Sequence, residues 1–310
     1  MIKKKDTSII LDELIEFNKN GYPKGYSVNH QDFPIDFALG TCTDITGYPF
    51  FGKSLILKEI IVSLAINHDW KFAVYMPDDG SDREVMANLI HKMTGKTVVP
   101  NYPNSMTPKE ISKWYLQAAN SFIFVDKPFV EPKAFWDFAK ANKCQGAVVD
   151  SWNYMAHEGS AVSTEYLRDI LAYRNTFMQN NNMHSFIVIH PKNPDPKAVK
   201  EGRVNKPTVY DLMGGSEWNN NGRNLVIVHK QDKSNYSEPY LVSVEKVKPK
   251  HYGTLGQCYL NLKWDNQRFY TMNHETQMRE YAYGLEEKVI DPLNSFTPTT
   301  QFNSSNNEPF

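Results

Sequence analysis

"DITGYPFFGKSLILKEII", residues 44–61, ends a short β-like run, turns through Gly47, Tyr48 and Pro49, and enters an amphipathic helix at Gly52-Lys53-Ser54. The stretch Gly47-Tyr48-Pro49-Phe50-Phe51-Gly52-Lys53-Ser54, continued by Leu55, carries the spacing G-x-x-x-x-G-K-[ST] between a strand and a helix start, which is where that spacing has chemical meaning. There the loop's backbone N–H groups and the positive helix end face a β-phosphate, the Lys53 ammonium spans the β- and γ-phosphates, and the Ser54 hydroxyl can ligate Mg²⁺. Phe50 and Phe51 fill loop positions that are usually small, which would tighten the loop or close it over the phosphates.

Outward from this loop, short β-branched or aromatic runs alternate with helical periodicity. They are "CTDITG", the helix after Lys53, "KFAVYMP" (71–77), "REVMANLIHKMTG", "SFIFVD" (121–126), "KAFWDFAKAN", "GAVVD" (146–150), "STEYLRDILAYRNTFMQNN" and "SFIVIH" (185–190). Such alternation means βαβ units, hence an α/β fold with a mostly parallel twisted sheet flanked by helices. After residue 223, "NLVIVHK", "YLVSVEKVK" and "GQCYLNLKW" follow one another without helices, which predicts antiparallel strands at the C-terminal sheet edge.

Ile9, Leu11, Leu14, Ile15 and Phe17 recur at roughly helical spacing and predict a helix that packs on the domain or on a neighbouring copy. "NGYPKGYSVNH" reads as a turn-rich connector. The end, "DPLNSFTPTTQFNSSNNEPF", is rich in Pro, Ser, Thr and Asn and is expected to be disordered. The expected divisions are therefore a helix and connector over 1–36 with a possible subunit contact, an ATPase domain over 37–285, and a tail over 286–310.

At 310 residues and 41% hydrophobic content, the chain can bury one large core or two small ones. The formal net charge is -1, from 34 basic and 35 acidic side chains, so any nucleic-acid surface must be local. Cys42, Cys144 and Cys258 stand far apart without a CxxC pair, which argues against a zinc cluster or disulfide framework and suits a reducing compartment. The start, "MIKKKDTSIILDELIEF", lacks the apolar region of a signal peptide. No apolar run approaches the ~18 residues needed to span a bilayer. A soluble, cytoplasmic protein with no membrane partner is expected.

A phosphate cradle of this type needs a second Mg²⁺ holder, an acid at the tip of an apolar strand. Asp150, ending "GAVVD", and Asp126, ending "SFIFVD", both qualify, and either could instead cap the next helix. The polar "SWN" that follows favours Asp150.

In their order along the chain, "NGYPKGY", "DITGYPFFGKS", "WKFAVYMPDD", "GAVVDSWN", "TEYLRDILAYRN", "FIVIHPKN", "PTVYDLMGGSEWNNNGRN" and "VEKVKPKHYGTLG" resemble the RecA-like motor domain of DnaB-type replicative helicases. The likeness looks closest to the helicase halves of bacteriophage primase-helicases and their prophage relatives, and it runs from Gly21 to about Tyr270. It implies a RecA-like P-loop NTPase fold, ATP and Mg²⁺ as cofactors, Lys53 and Ser54 on nucleotide and metal, and Asp150 as the second metal-holding acid. The resemblance also implies a carboxylate at the tip of the second strand that polarises the attacking water. In "YMPDDG" that place falls to Asp78, with Asp79 adjacent, although Asp78, Asp79 and Gly80 could also form a plain turn. Aspartate is one methylene shorter than the glutamate of the family, and a misplacement of about 1 Å can cost about a hundredfold in rate.

His190, ending "SFIVIH", matches the family's polar sensor of the γ-phosphate, at a strand end where α/β ligands collect. Ring helicases complete each site with basic residues of the adjacent subunit, including an arginine finger. In "VEKVKPKHYG" those positions fall to Lys246 and Lys248, and lysine keeps the charge without the planar fork. Alternating Lys246, Lys248 and Lys250 would equally suit a solvated strand face.

Between His190 and Asp211, "PKNPDPKAVKEGRVNKPTVY" carries Lys192, Lys197, Lys200, Arg203 and Lys206 against Asp195 and Glu201. Composition alone leaves open a solubilising loop or a grip on nucleic acid. The resemblance implies a channel loop that holds single-stranded DNA by salt-dependent, sequence-tolerant phosphate contacts. It also offers Gly215, Ser216 and Arg223 of "GGSEWNNNGRN" as contacts to DNA or a neighbouring site, although Glu217, Trp218 and Arg223 depart from the family's spelling. Trp152 and Tyr154 are candidates for base stacking or for the core. The terminal "NNEPF" suggests docking of Phe310 on replication proteins such as a primase or polymerase.

The resulting expectation is an ATP-driven, Mg²⁺-dependent DNA helicase of a phage or phage-like element in its bacterial host, working as a homo-oligomeric, hexameric ring on single-stranded DNA. Without zinc-binding cysteines ahead of the motor, priming is expected from another protein. The alternative is a RecA-like nucleotide-binding assembly or filament protein with weak ATPase activity, which Asp78 and Lys248 favour. A small-molecule kinase fits less well, since no arginine-rich lid or acceptor site is visible.

Overall fold

A computed structural model describes residues 7–126, 128–194, 196–197, 204–232, 235–273, 275–276 and 278–284. Six parallel strands, β1 (Cys42–Thr46), β2 (Phe72–Tyr75), β3 (Phe122–Phe124), β4 (Gly146–Val149), β5 (His184–Ile189) and β6 (Asn224–His229), form the body of the sheet. Four antiparallel strands, β7 (Tyr240–Lys246), β8 (Gly256–Lys263), β9 (Arg268–Met272) and β10 (Arg279–Tyr281), extend one edge. The order across the sheet is β10-β9-β8-β7-β6-β1-β5-β4-β2-β3. This is the expected mixed architecture, with β1 at its centre.

Successive residues of the parallel strands face opposite sides, as strand geometry requires. Val74, Val148, Val188 and Val226 join the core under α2 (Lys53–His68) and α3 (Asp82–Thr94). Tyr75, Ala147, Val149 and Ile187 join the opposite core under α5 (Pro132–Ala141) and α6 (Thr164–Asn181). The third helix pair member, α4 (Pro108–Ser121), starts at a capping box in which Thr107 and Glu110 satisfy each other's backbone N–H groups.

Where the sequence predicts an amphipathic helix after Lys53, α2 is buried all round from Ile56 to Ala65. A helix that is apolar on every side needs cover on every side. The connector supplies part of it: Val28 and Ile35 are buried, the Ser63 hydroxyl donates to Val28 O at 2.7 Å, and Tyr26 bridges to Phe37. Contact with the domain body thus begins ahead of residue 37. By contrast α1 (Ser8–Asn20) buries none of its residues, and Ile9, Leu11, Leu14, Ile15 and Phe17 are all exposed.

Two buried polar clusters brace these layers. The Arg174 guanidinium of α6 makes a bidentate pair with Asp44 at the centre of β1, at 2.6 and 3.0 Å. On the other face Glu59 of α2 accepts from Lys92 of α3 at 2.9 Å and contacts His30 of the connector at 3.0 Å. Tyr283, near the end of the described chain, donates to Lys92 O at 3.2 Å.

Candidate active site

The loop between β1 and α2 is shaped by two glycines that no other residue could replace. A Cβ on Gly47 would sit 2.2 Å from Val228 O, and one on Gly52, which has φ +91°, would sit 2.3 Å from the Tyr240 ring. The two phenylalanines part company. Phe51 is buried and stacks on His229 of β6, with ring centroids 5.2 Å apart and planes 13° apart, whereas Phe50 adopts a left-handed φ of 69° and is 86% exposed. Phe51 therefore anchors the loop to the sheet, while Phe50 stands exposed at its mouth.

Lys53 is buried at the first turn of α2 and donates to Tyr48 O at 3.1 Å. Burial pushes its pKa down, against the opposing pull of Asp150 and Asp78. Asp150, just past β4, is 1% exposed and accepts from the Ser54 hydroxyl. Its Oδ2 has no hydrogen-bond partner. Burial above all, then the charge of Asp79, lifts its carboxyl to about 6.

An orphaned buried carboxylate oxygen beside a hydroxyl is a donor set that fits Mg²⁺, which takes few protein ligands and relies on substrate phosphates for others. Among the described residues no group of three or more His, Cys, Asp or Glu side chains could hold a metal by itself, in keeping with such a two-residue hold. The two candidate acids stand in different surroundings. Asp126 follows the edge strand β3, is exposed, and acts electrostatically on Asp82 at the start of α3.

Asp78 and Asp79 sit on a single 3-10 turn, Pro77–Asp79, directly after β2. Asp79 pairs with the buried Lys58 of α2. Asp78 instead lies 3.9 Å from His190 Nε2 and accepts from the Tyr154 hydroxyl. His190, at the tip of β5, contacts Ser151 Oγ at 3.1 Å, and burial together with Lys53 lowers its pKa. Lys53, Ser54, Asp78, Asp150 and His190 thus gather beyond the C-terminal ends of β1, β2, β4 and β5. Sequence reading missed Lys58, whose signal was a charged residue inside the apolar run "SLILKEII", and saw Ser151 only as part of the polar "SWN".

Lys246 and Lys248 are not part of this group. Because β7 is antiparallel, Lys246 pairs with Leu225 near the start of β6, about 13 Å of strand rise from the His229 end beside the loop. Lys246 Nζ donates to Asn219 O of α7 (Ser216–Asn221), and the Lys248 N–H donates to Asn224 Oδ1 at 3.2 Å.

Of the basic segment after His190, Lys192 and Lys197 are exposed, while Lys200 and Arg203 lie outside the described residues, as does Phe310. Lys206 is drawn onto the sheet, where it pairs with Glu245 and donates to Ser243 Oγ at 3.0 Å. Gly215 and Ser216 open α7 close to His190, whose carbonyl accepts from the Met213 N–H at 3.1 Å. Trp152 is core, its indole N–H donating to Ala161 O at 2.9 Å, and Tyr154 is exposed beside Asp78. No described helix is long and apolar enough to cross a membrane.

Strand order and cradle together give the α/β fold of a RecA-like domain. Among solved structures the chain is similar to the ATPase domain of G40P, with TM-score 0.68, 11% identity and coverage of 86% of this chain and 99% of that one. It is also similar to a DnaB-like replicative helicase described with its interactions with primase, with TM-score 0.64, 10% identity and coverage of 86% and 67%. A KaiC-like protein from Pyrococcus horikoshii OT3 shares the fold more distantly, with TM-score 0.52, 13% identity and coverage of 78% and 97%. In sequence the chain is 26% identical over 259 residues to the Twinkle homolog protein, chloroplastic/mitochondrial, of Arabidopsis thaliana. That match covers 78% of this chain but 36% of the relative, so the chain spans about a third of that protein's length. No family model matches.

Proposed function

We propose that this chain is the ATP-hydrolysing motor of a DnaB-type replicative DNA helicase, working as a ring of identical copies, hexameric in form, on single-stranded DNA. The observation that carries this reading is the split of the site: Lys53, Ser54, Asp78, Asp150 and His190 lie together beyond the C-terminal ends of the parallel strands, while Lys246 and Lys248 stand at the opposite end of the sheet, where antiparallel β7 finishes. Lysines so placed can meet a triphosphate only on a second copy. The likeness to the G40P ATPase domain and the DnaB-like helicase, and to the Twinkle homologue in sequence, supports the same reading.

In this reading the backbone of Gly47–Ser54 and Leu55 holds the phosphates of ATP, and Lys53 exchanges the Tyr48 carbonyl for them. Mg²⁺, held by Ser54 and Asp150, supplies neutralisation of phosphate charge when bound. Asp78 orients the attacking water and takes its proton. His190, bonded to Ser151, reports the γ-phosphate to the segment that begins at Pro191. Lys248 and Lys246 of the next copy balance the charge that develops on the transferred phosphoryl group. Lys192 and Lys197, with Lys200 and Arg203 of the same segment, grip the DNA backbone, with Gly215 and Ser216 at its base. Lys206, engaged by Glu245, serves first to tether that segment. The exposed apolar face of α1 suits the subunit contact, the 286–310 tail a primase or polymerase contact, and the bacterial cytoplasm the setting.

A second reading, a RecA-like assembly or filament protein with weak hydrolysis, draws on the short reach of Asp78, whose side chain is 42% exposed. ATP hydrolysis measured with and without single-stranded DNA, on protein of determined mass, tests the proposal. Single-stranded DNA is expected to stimulate the rate, and Lys53→Ala to abolish it. A Lys53→Ala protein as fast as the parent would overturn the motor, and failure to separate a forked duplex despite ATP binding would favour the second reading.

A further inference from the structure

Lys58 has no place in the phosphate cradle, yet it is one of the most deeply buried charges in the molecule. It stands five residues after Lys53 on the same helix, among Ile56, Leu57, Ile60 and Ile61, with its side chain 4% exposed. An ammonium in such a setting is costly unless a counter-charge meets it. Its partner is Asp79, the residue immediately after the proposed water-orienting acid.

The turn that carries both acids is short and otherwise lightly held. Pro77 fixes one φ angle, the Asp79 N–H donates to Met76 O at 3.1 Å, and Gly80 follows with φ +113°. Two adjacent carboxylates on so small a turn could each swing toward the nucleotide. Asp79, 21% exposed, is drawn away by Lys58, whereas Asp78 is left facing His190, Tyr154 and the field of Lys53.

We infer that Lys58 is a positioning residue for hydrolysis: its pair with Asp79 fixes the 77–79 turn to the P-loop helix and leaves Asp78 as the carboxylate that meets the attacking water. The inference rests on the ATPase reading above. The aspartate's shorter reach makes such fixing matter, because small displacements of a reacting group are costly in rate. Tying the turn to α2 also makes Lys53 and Asp78 move as one body.

The test is steady-state ATP hydrolysis by the full chain with single-stranded DNA, comparing Lys58→Met, Lys58→Arg, Asp79→Asn and the Lys58→Met/Asp79→Asn pair. Binding of a fluorescent ATP analogue with Mg²⁺ is measured on each. Lys58→Met and Asp79→Asn are each expected to lower kcat about ten- to a hundredfold, with KM and analogue binding changed less than about threefold. Lys58→Arg should restore most of kcat, and the double variant should be no slower than the slower single one. Should Lys58→Met fail to fold, Asp79→Asn, at a partly exposed site, and the charge-keeping Lys58→Arg carry the comparison. Parental kcat in both Lys58→Met and Asp79→Asn, or losses confined to KM, would overturn the inference while leaving the ATPase reading intact. A parent chain that hydrolyses no ATP would overturn both.

Discussion

In the proposed motor, chemical competence turns on Asp78. Asp78 faces His190, whereas Asp79 pairs with the buried Lys58 and Asp150 accepts from the Ser54 hydroxyl. Removing a general base of this kind costs about 10²–10⁴-fold in rate. Asp78→Asn should therefore lose at least about a hundredfold in kcat while nucleotide binding stays near parental; unchanged kcat would move the role elsewhere. His184, away from the site, contributes to the acid behaviour of the fold. It is fully buried, its Nδ1–H donates to Ala38 O at 2.6 Å and its Nε2 meets Thr43 Oγ1 at 2.9 Å. Burial pushes its pKa from 6.5 down to about 3. Between those values the unfolded chain binds the proton and the folded chain does not, so stability rises with pH. The contribution is complete above about pH 6.5 and is lost as pH falls toward 3. Urea unfolding of the parent between pH 7 and pH 4.5 should show this slope, and His184→Gln should flatten it; an equal slope in both would contradict the assignment.

Individual elements show why some of the fold could be read from sequence and some could not. The parallel strands announce themselves because apolar runs such as "GAVVD" and "SFIVIH" are short, β-branched and bounded by helical periodicity. The cradle is legible because glycine is demanded at positions 47 and 52 by close neighbours, and that demand survives as a spacing. The role of α2 is less legible, since its cover comes from Val28 and Ile35 in a segment whose turn residues hide its packing. Long-range polar pairs leave no local trace at all: Asp44 and Arg174 lie 130 residues apart yet form the buried link between β1 and α6. Breaking such a pair strands a charge in the core and costs about 3–5 kcal/mol. Arg174→Met should lower unfolding stability by about that amount, and adding Asp44→Leu should recover part of it. Additive losses would mean that the two residues act separately.

At the scale of the whole molecule two features bear on the proposed ring. Ile9, Leu11, Leu14, Ile15 and Phe17 of α1 are exposed, Phe17 meeting Tyr22, and Lys246 stands at the end of β7 away from the phosphate loop. A closed ring answers both, because each copy then offers its α1 and its β7 end to a neighbour. Lys192 follows His190 by two residues, so in the proposed motor a change at the phosphate would have a direct mechanical route to DNA. The sequence motif assigns Lys246 and Lys248 to a neighbour's site, and the antiparallel direction of β7, which sets Lys246 beside Leu225 at the start of β6, accords with that assignment.

The most direct test of this architecture mixes two inactive proteins. Lys53→Ala chains keep Lys248, and Lys248→Ala chains keep Lys53. Each alone should hydrolyse ATP at a small fraction of the parental rate with single-stranded DNA present. Mixed in equal amounts and allowed to exchange, they form roughly one fully equipped boundary in four, so roughly a quarter of parental activity should return. A mixture no faster than the sum of its parts, or a Lys248→Ala protein as active as the parent, would show that no neighbouring copy completes the site.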